Sequence, residues 1–144
     1  MASSDPSPSP DREYDLVLFG ASSFVGKLTA EYLAGAAPSD LKVALAGRSK
    51  QKLKKVRAGL PAPADQWPIM LADSDDEESI AKMAGSARVV VTTVGPYLKY
   101  GLPLVLACAE AGTDYADLTG EALFVRRSID QAHETATKNG ARIV

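Results

Sequence analysis

Among its 144 residues the chain has one cysteine, one histidine and one tryptophan, and aromatic residues make up only 6%. A single thiol, Cys108, excludes an intramolecular disulfide and suits a reducing compartment. It sits on an apolar helical stretch and reads as a small core residue. The lone imidazole, His133, falls among polar neighbours (QAHET) and reads as a surface residue. A Ser-His-Asp hydrolase would depend on that one histidine, and no G-x-S-x-G elbow accompanies it. No run of about 18 apolar residues occurs, so no segment reads as a membrane span. The N-terminus lacks the charged-then-apolar layout of a secretory signal, and a cytoplasmic location is expected. A basic excess is also missing. Sixteen Lys and Arg stand against eighteen Asp and Glu, a net charge of -2 that argues against nucleic acid as a partner.

What is present fits one α/β domain: 46% apolar residues and 24% charged ones in a length that leaves no room for a second domain of equal size. Residues 1–12 are mostly Ser, Pro and Asp and are expected to be a disordered leader, with the folded domain over residues 13–144. Short apolar runs at residues 14–19 (YDLVLF), 42–46 (KVALA), 67–71, 88–94 (RVVVTTV), 114–118 and 141–144 read as strands. Pro68 points to a sheet edge for the third. Helical patterns fall between them. The first runs over residues 23–36, with Val25, Leu28, Tyr32 and Ala36 expected inward. Ser49 is expected to cap the second, which turns Leu53 and Val56 inward and its lysines outward. Ser74 and Glu77 have capping-box spacing for a short third helix ending at Gly85. Residues 95–101 read as a loop, residues 103–111 as a helix with proline in its first turn, and residues 121–138 as a long helix. Strict alternation predicts a Rossmann-type doubly wound parallel sheet of about six strands in the order 3-2-1-4-5-6.

The turn after the first strand, residues 20–26 (GASSFVG), has the place and outer glycines of a dinucleotide-binding turn. In such a turn one glycine permits the tight bend, and another lets helix and strand approach closely. The helix N-terminus then offers N–H groups and partial positive charge to phosphates. Gly20, Ser22, Ser23, Phe24, Val25 and Gly26 are therefore read as the cofactor-facing set. Ser23 stands where the middle glycine usually lies; its Cβ would crowd a pyrophosphate, or its hydroxyl would donate to one. A phosphate-binding loop of the G-x-x-x-x-G-K-[ST] type is excluded, because five residues separate the glycines and Leu28 follows Lys27. At the end of the second strand Arg48 stands where an NAD site carries a carboxylate, and Ser49 follows it. That choice predicts NADP over NAD, since a guanidinium grips a 2′-phosphate with paired hydrogen bonds. The plain alternative is a solvated arginine after a strand. Asp73, after the third strand, is either a partner for the adenine amino group or part of a solvated acidic helix start. Gly95, Pro96 and Tyr97, after the fourth strand, are placed to support the nicotinamide ribose. Tyr97, Tyr115 and Glu121 are the available proton donors, with packing and helix-start roles as the alternatives; no catalytic residue is assigned.

Several segments together resemble the N-terminal domain of the saccharopine dehydrogenase-like oxidoreductases, within them the mycobacterial trans-acting enoyl reductase branch. They are residues 20–26 (GASSFVG), 46–49 (AGRS), 94–97 (VGPY) followed by Tyr100 and Gly101, and 107–121 (ACAEAGTDYADLTGE). The resemblance implies an NAD(P)-linked oxidoreductase and, in the enoyl reductase branch, reduction of an acyl-chain double bond in lipid synthesis. It also implies a C-terminal substrate-binding portion beyond this chain and a small-molecule or acyl substrate there. Two other functions are weighed: a non-catalytic nucleotide-binding or interaction module, which Ser23 favours, and a family enzyme acting on an imine. Without a substrate domain the chain is expected to be inactive alone, and apolar surface exposed at the boundary with that absent portion is expected to favour pairing of copies.

Overall fold

The structure, a computed structural model, describes residues 11–144. The expected leader lies outside the described residues except for Asp11 and Arg12. Arg12 is tied to the fold, its guanidinium donating to the carbonyl oxygens of Gly85 and Ala111.

Strands β1 (Tyr14–Phe19), β2 (Val43–Gly47), β3 (Ile69–Leu71), β4 (Ala87–Thr92) and β5 (Asp114–Ala116) form one parallel sheet in the order β3-β2-β1-β4-β5. All five residues of β2 are buried, as an unbroken apolar run covered on both faces requires. Alternate residues of β1 feed two cores. Leu18 joins Leu45, Ala30, Leu53 and Trp67 beneath α1 (Phe24–Ala36) and α2 (Lys50–Ala58). Val17 and Phe19 join Val90, Met83, Val105 and Tyr115 beneath α3 (Glu77–Ser86), α5 (Leu102–Ala111) and α6 (Ala122–Asn139). A four-residue helix, α4 (Tyr97–Tyr100), interrupts the segment expected as a plain loop. β3 is the sheet edge, as Pro68 indicates.

Three expectations are corrected. The sheet has five strands, not six: Ile143 makes only a single parallel bridge to Tyr115. Residues 142–144 do run beside β5: the Tyr115 and Asp117 N–H groups donate to the Arg142 and Val144 carbonyls, and the Val144 N–H donates to the Tyr115 carbonyl, but this amounts to one bridge and not a strand. β5 itself ends at Ala116, where the Asp117 carboxylate accepts from the Tyr115 hydroxyl (2.6 Å) and the Thr119 N–H (2.8 Å). Next, α1 faces the sheet with Gly26, Ala30, Leu33 and Ala34, whereas Leu28 is 51% and Tyr32 73% exposed. Gly26 has to touch the turn below it, and that contact rotates the small residues inward at helical spacing. Finally, Asp76 rather than Ser74 caps α3, accepting from the N–H groups of Glu78 (3.1 Å) and Ser79 (3.4 Å). A carboxylate is the stronger acceptor at the positive end of a helix dipole. Ser49 caps α2 as expected, accepting from Lys52 N–H at 3.3 Å.

The core holds titratable groups in neutral form. Burial pushes the Cys108 thiol up from 9.0 to about 12, with Arg12 opposing and Asp114 adding to the shift. Burial raises the Tyr115 phenol well above its ordinary 10.0, and its hydrogen bond to Asp117 raises it further. A raised folded-state pKa means that the folded chain holds these protons more tightly than the unfolded one. Their stabilisation is complete below the unfolded values and is lost as pH rises through the folded ones. Urea midpoints are therefore expected to stay level up to roughly pH 8 and to fall steadily from there to pH 11. A midpoint that rises over this range would contradict the buried, neutral state of both groups.

Candidate functional site

The turn between β1 and α1 is built around one carbonyl. Gly20 has φ +86°, a left-handed conformation that glycine adopts without strain, and a Cβ there would lie 2.7 Å from Thr93 Oγ1. A Cβ on Gly26 would lie 2.0 Å from the Gly20 carbonyl oxygen, so no side chain fits. That oxygen accepts from the Ser23 N–H (3.0 Å), the Ser23 hydroxyl (2.8 Å) and the Thr93 hydroxyl (3.1 Å). Ser23 has an ordinary extended backbone, and its Oγ accepts from Gly26 N–H at 3.0 Å as the N-cap of α1. The hydroxyl is thus folded into the turn, donating to the Gly20 carbonyl and accepting from Gly26 N–H. The serine supplies the N-cap of α1.

Beyond the carboxyl ends of the strands lies an open cleft of about 550 Å³. It runs across the sheet in strand order. Asp73, Ser74 and Asp75 follow β3; Arg48, Ser49 and Lys52 follow β2; Gly20, Ser22 and Ser23 follow β1; Thr93, Val94 and Gly95 follow β4. Arg48 is exposed and, among the described residues, forms no ion pair, so its guanidinium is open to an anion. The Asp73 carboxylate lines the cleft while accepting from Asp75 N–H at 3.0 Å, so one oxygen is already engaged.

Of the residues singled out from the sequence, Gly20, Ser22, Ser23, Arg48, Ser49, Asp73 and Gly95 meet in this cleft. The others stand back from it. Phe24 and Val25 project outward from α1, 79% and 39% exposed, and Gly26 is buried beneath the turn. Pro96 is the exposed N-cap of α4. Tyr97 is buried, its hydroxyl donating to the Thr92 carbonyl at 3.1 Å. Burial raises the Tyr97 phenol, against an opposing contact from the Leu118 backbone. Tyr115 is engaged with Asp117, and the Glu121 carboxylate accepts from Tyr97 N–H (2.7 Å) and Leu98 N–H (3.3 Å). The three proton-donor candidates all serve the fold.

Lys52, Thr93, Val94 and Tyr100 also line the cleft and were not among the expected cofactor-facing residues. Lys52 lies in the first turn of α2, three residues after the cap Ser49 that follows Arg48. Thr93 and Val94 read as strand residues, and only the end of β4 at Thr92 turns them to the cleft. His133 is exposed on α6, and Arg126 pairs with Asp130 there. Among the described residues no group of three His, Cys, Asp or Glu could hold a metal ion, and no helix is long and apolar enough to cross a membrane.

Two substitutions test this turn. Gly26→Ala is expected to cost about 3 kcal/mol or more, because only backbone surrounds the added methyl. Ser23→Ala is expected to cost about 1 kcal/mol through the lost cap. Urea denaturation reads both; a neutral Gly26→Ala would mean that the turn is not packed as described.

Comparison with known proteins follows this geometry. Residues 16–144 match the family described as the saccharopine dehydrogenase NADP binding domain. A trans-acting enoyl reductase of Mycobacterium leprae is 57% identical over 137 residues, covering 94% of this chain and 32% of that protein. A trans-acting enoyl reductase of Mycobacterium tuberculosis is 56% identical over 134 residues, covering 93% and 32%. The chain therefore spans about a third of the length of these relatives. Among solved structures, the L-Glu-forming saccharopine dehydrogenase of Saccharomyces cerevisiae superposes with a TM-score of 0.69 at 20% identity. That match covers 90% of this chain and 26% of the yeast protein. The Citrobacter sp. triphenylmethane reductase complexed with NADP(H) gives 0.63 at 15% identity, covering 90% and 48%. At those identities the likeness is one of fold. With 129 of its residues matched, the chain belongs to the saccharopine dehydrogenase NADP-binding domain family, and its cofactor is NADP.

Proposed function

We propose that this chain is the cofactor-holding part of a reductase that uses NADPH to saturate a carbon–carbon double bond in an acyl chain, as the relatives' name describes. The observation that carries the reading is the order of groups along the cleft. The exposed Arg48 guanidinium with Ser49 and Lys52 follows β2, a turn bounded by Gly20 and Gly26 with a capped helix N-terminus follows β1, and Thr93, Val94 and Gly95 follow β4. These residues fit the cofactor. Arg48 and Lys52 would hold the 2′-phosphate, the α1 N-terminus the pyrophosphate, and the end of β4 the nicotinamide ribose. NADPH supplies the hydride when bound; orientation is the protein's share.

The same reading makes the chain a binder that turns nothing over by itself. Its support is the engagement of Tyr97, Tyr115 and Glu121 inside the fold, which leaves none of them to hand a proton to a substrate. Substrate and proton donor are assigned to the further length that the relatives carry. A cytoplasmic setting goes with this proposal, because a lone free thiol suits a reducing compartment. Pairing of copies through apolar surface at the boundary with the portion that the relatives carry belongs to it as well.

The test is titration with NADPH and NADH, followed by energy transfer from Trp67. NADPH is expected to bind more tightly, and Arg48→Ala to weaken NADPH by about tenfold or more while leaving NADH nearly unchanged. Equal affinity for the two cofactors, or an Arg48→Ala variant with no effect, would overturn the assignment of Arg48 to the 2′-phosphate.

A further inference from the structure

Glu121 does something that neither a proton donor nor an ordinary helix start would do. It lies just before α6, yet its carboxylate reaches 24 residues back to take the N–H groups of Tyr97 and Leu98. Those are the N–H groups of the first turn of α4 that have no partner within it. Pro96 has no N–H, whereas Lys99, Tyr100 and Gly101 donate to the carbonyls of Pro96 and Tyr97. No residue of α4's own N-terminal side supplies a cap. The carboxylate from the loop after β5 is therefore the cap of α4, delivered across the sheet.

Glu121 is in turn held by the residues before it. Its own N–H donates to Thr119 Oγ1 (3.1 Å), the Thr119 N–H donates to Asp117 Oδ1 (2.8 Å), and Asp117 Oδ2 accepts from the buried Tyr115 hydroxyl (2.6 Å). The chain of contacts starts in the core at Tyr115 and ends on the backbone directly after Gly95 and Pro96. The target segment is held at other points too: the Tyr97 hydroxyl bonds β4 at Thr92, and its ring packs on Phe124 of α6 at 5.7 Å between centroids. Gly95 and Val94 form the β4 wall of the cleft, so whatever holds Tyr97 and Leu98 holds that wall.

We infer that Glu121 is the positioning residue of the cleft's β4 end, fixing the backbone after Gly95 so that the nicotinamide half of NADPH is seated, while the adenosine half is held independently over β2 and β3. This rests on the proposed placement of the cofactor. Glu121 touches no part of the cleft itself and acts only through the backbone it caps.

The test compares two ligands on the wild-type chain, Glu121→Gln and Glu121→Ala. Adenosine 2′,5′-bisphosphate probes the β2 end alone, and NADPH probes both ends. Glu121→Ala is expected to weaken NADPH by about tenfold, with Glu121→Gln between it and the wild type because its amide oxygen keeps one acceptor. Bisphosphate binding should stay within about twofold in all three proteins, which also shows that they are folded. Equal NADPH affinity in the three proteins would overturn the inference. So would a parallel loss of both ligands, because Glu121 would then support the fold as a whole. A wild-type chain that binds the bisphosphate but gains nothing from the rest of NADPH would overturn the seat at β4. A wild-type chain that binds neither would overturn the cofactor placement itself.

Discussion

The contact between Gly26 and the carbonyl of Gly20 governs more of this molecule than any other. With no side chain between them, the first turn of α1 rests directly on the backbone that leaves β1. That approach sets which side of α1 meets the sheet and turns the helix N-terminus toward the end of the strands. It also frees the Gly20 oxygen to gather Ser23 and Thr93, which lie 70 residues apart in sequence. A helix and two neighbouring strand ends are locked to one atom. The energetic cost of the left-handed Gly20 is small because it is glycine; in any other residue it would be strain.

Around that point the cleft is divided by the sheet's topology. Strands leading away from β1 in opposite directions leave a gap at their carboxyl ends, and the chain furnishes its two sides differently. On the β2 side the furnishing is side-chain charge, Arg48 and Lys52, set on a short loop and the first turn of α2. On the β4 side it is Thr93, Val94, Gly95 and Tyr100, and the backbone after Gly95 is held from below by the Tyr115–Asp117–Thr119–Glu121 succession. Charge is suited to a phosphate. Fixed backbone is suited to a group that must be presented at one angle. Tyr97, Tyr115 and Glu121 are engaged behind those walls, while Tyr100, Asp73 and Asp75 line the cleft itself.

Much of this was legible in the chain. The β-branched and apolar runs ending in glycine marked the central strands, since a strand covered on both faces has no polar alternation to lose. Their alternation with helices fixed the parallel order through five strands. Arg48 was legible for the same local reason: a residue directly after the second strand of such a sheet lies at the carboxyl end, where the cleft opens. The orientation of α1 was not. Its larger residues, Val25, Leu28 and Tyr32, also fall at helical spacing, and periodicity alone prefers the more apolar stripe. Nor was the role of Glu121, since a carboxylate at a helix start is ordinarily explained by that helix.

The sequence by itself determined the alternation of elements, the places of the two glycines of the turn and the arginine that follows β2, because each depends on residues close together in the chain. Tertiary structure alone decided which stripe of α1 is buried, why a serine serves in the middle of the turn, and which carboxylate caps α4. Those outcomes depend on atoms brought together from β1, β4 and the loop after β5. Close packing across tens of residues leaves no local periodicity from which they could be read.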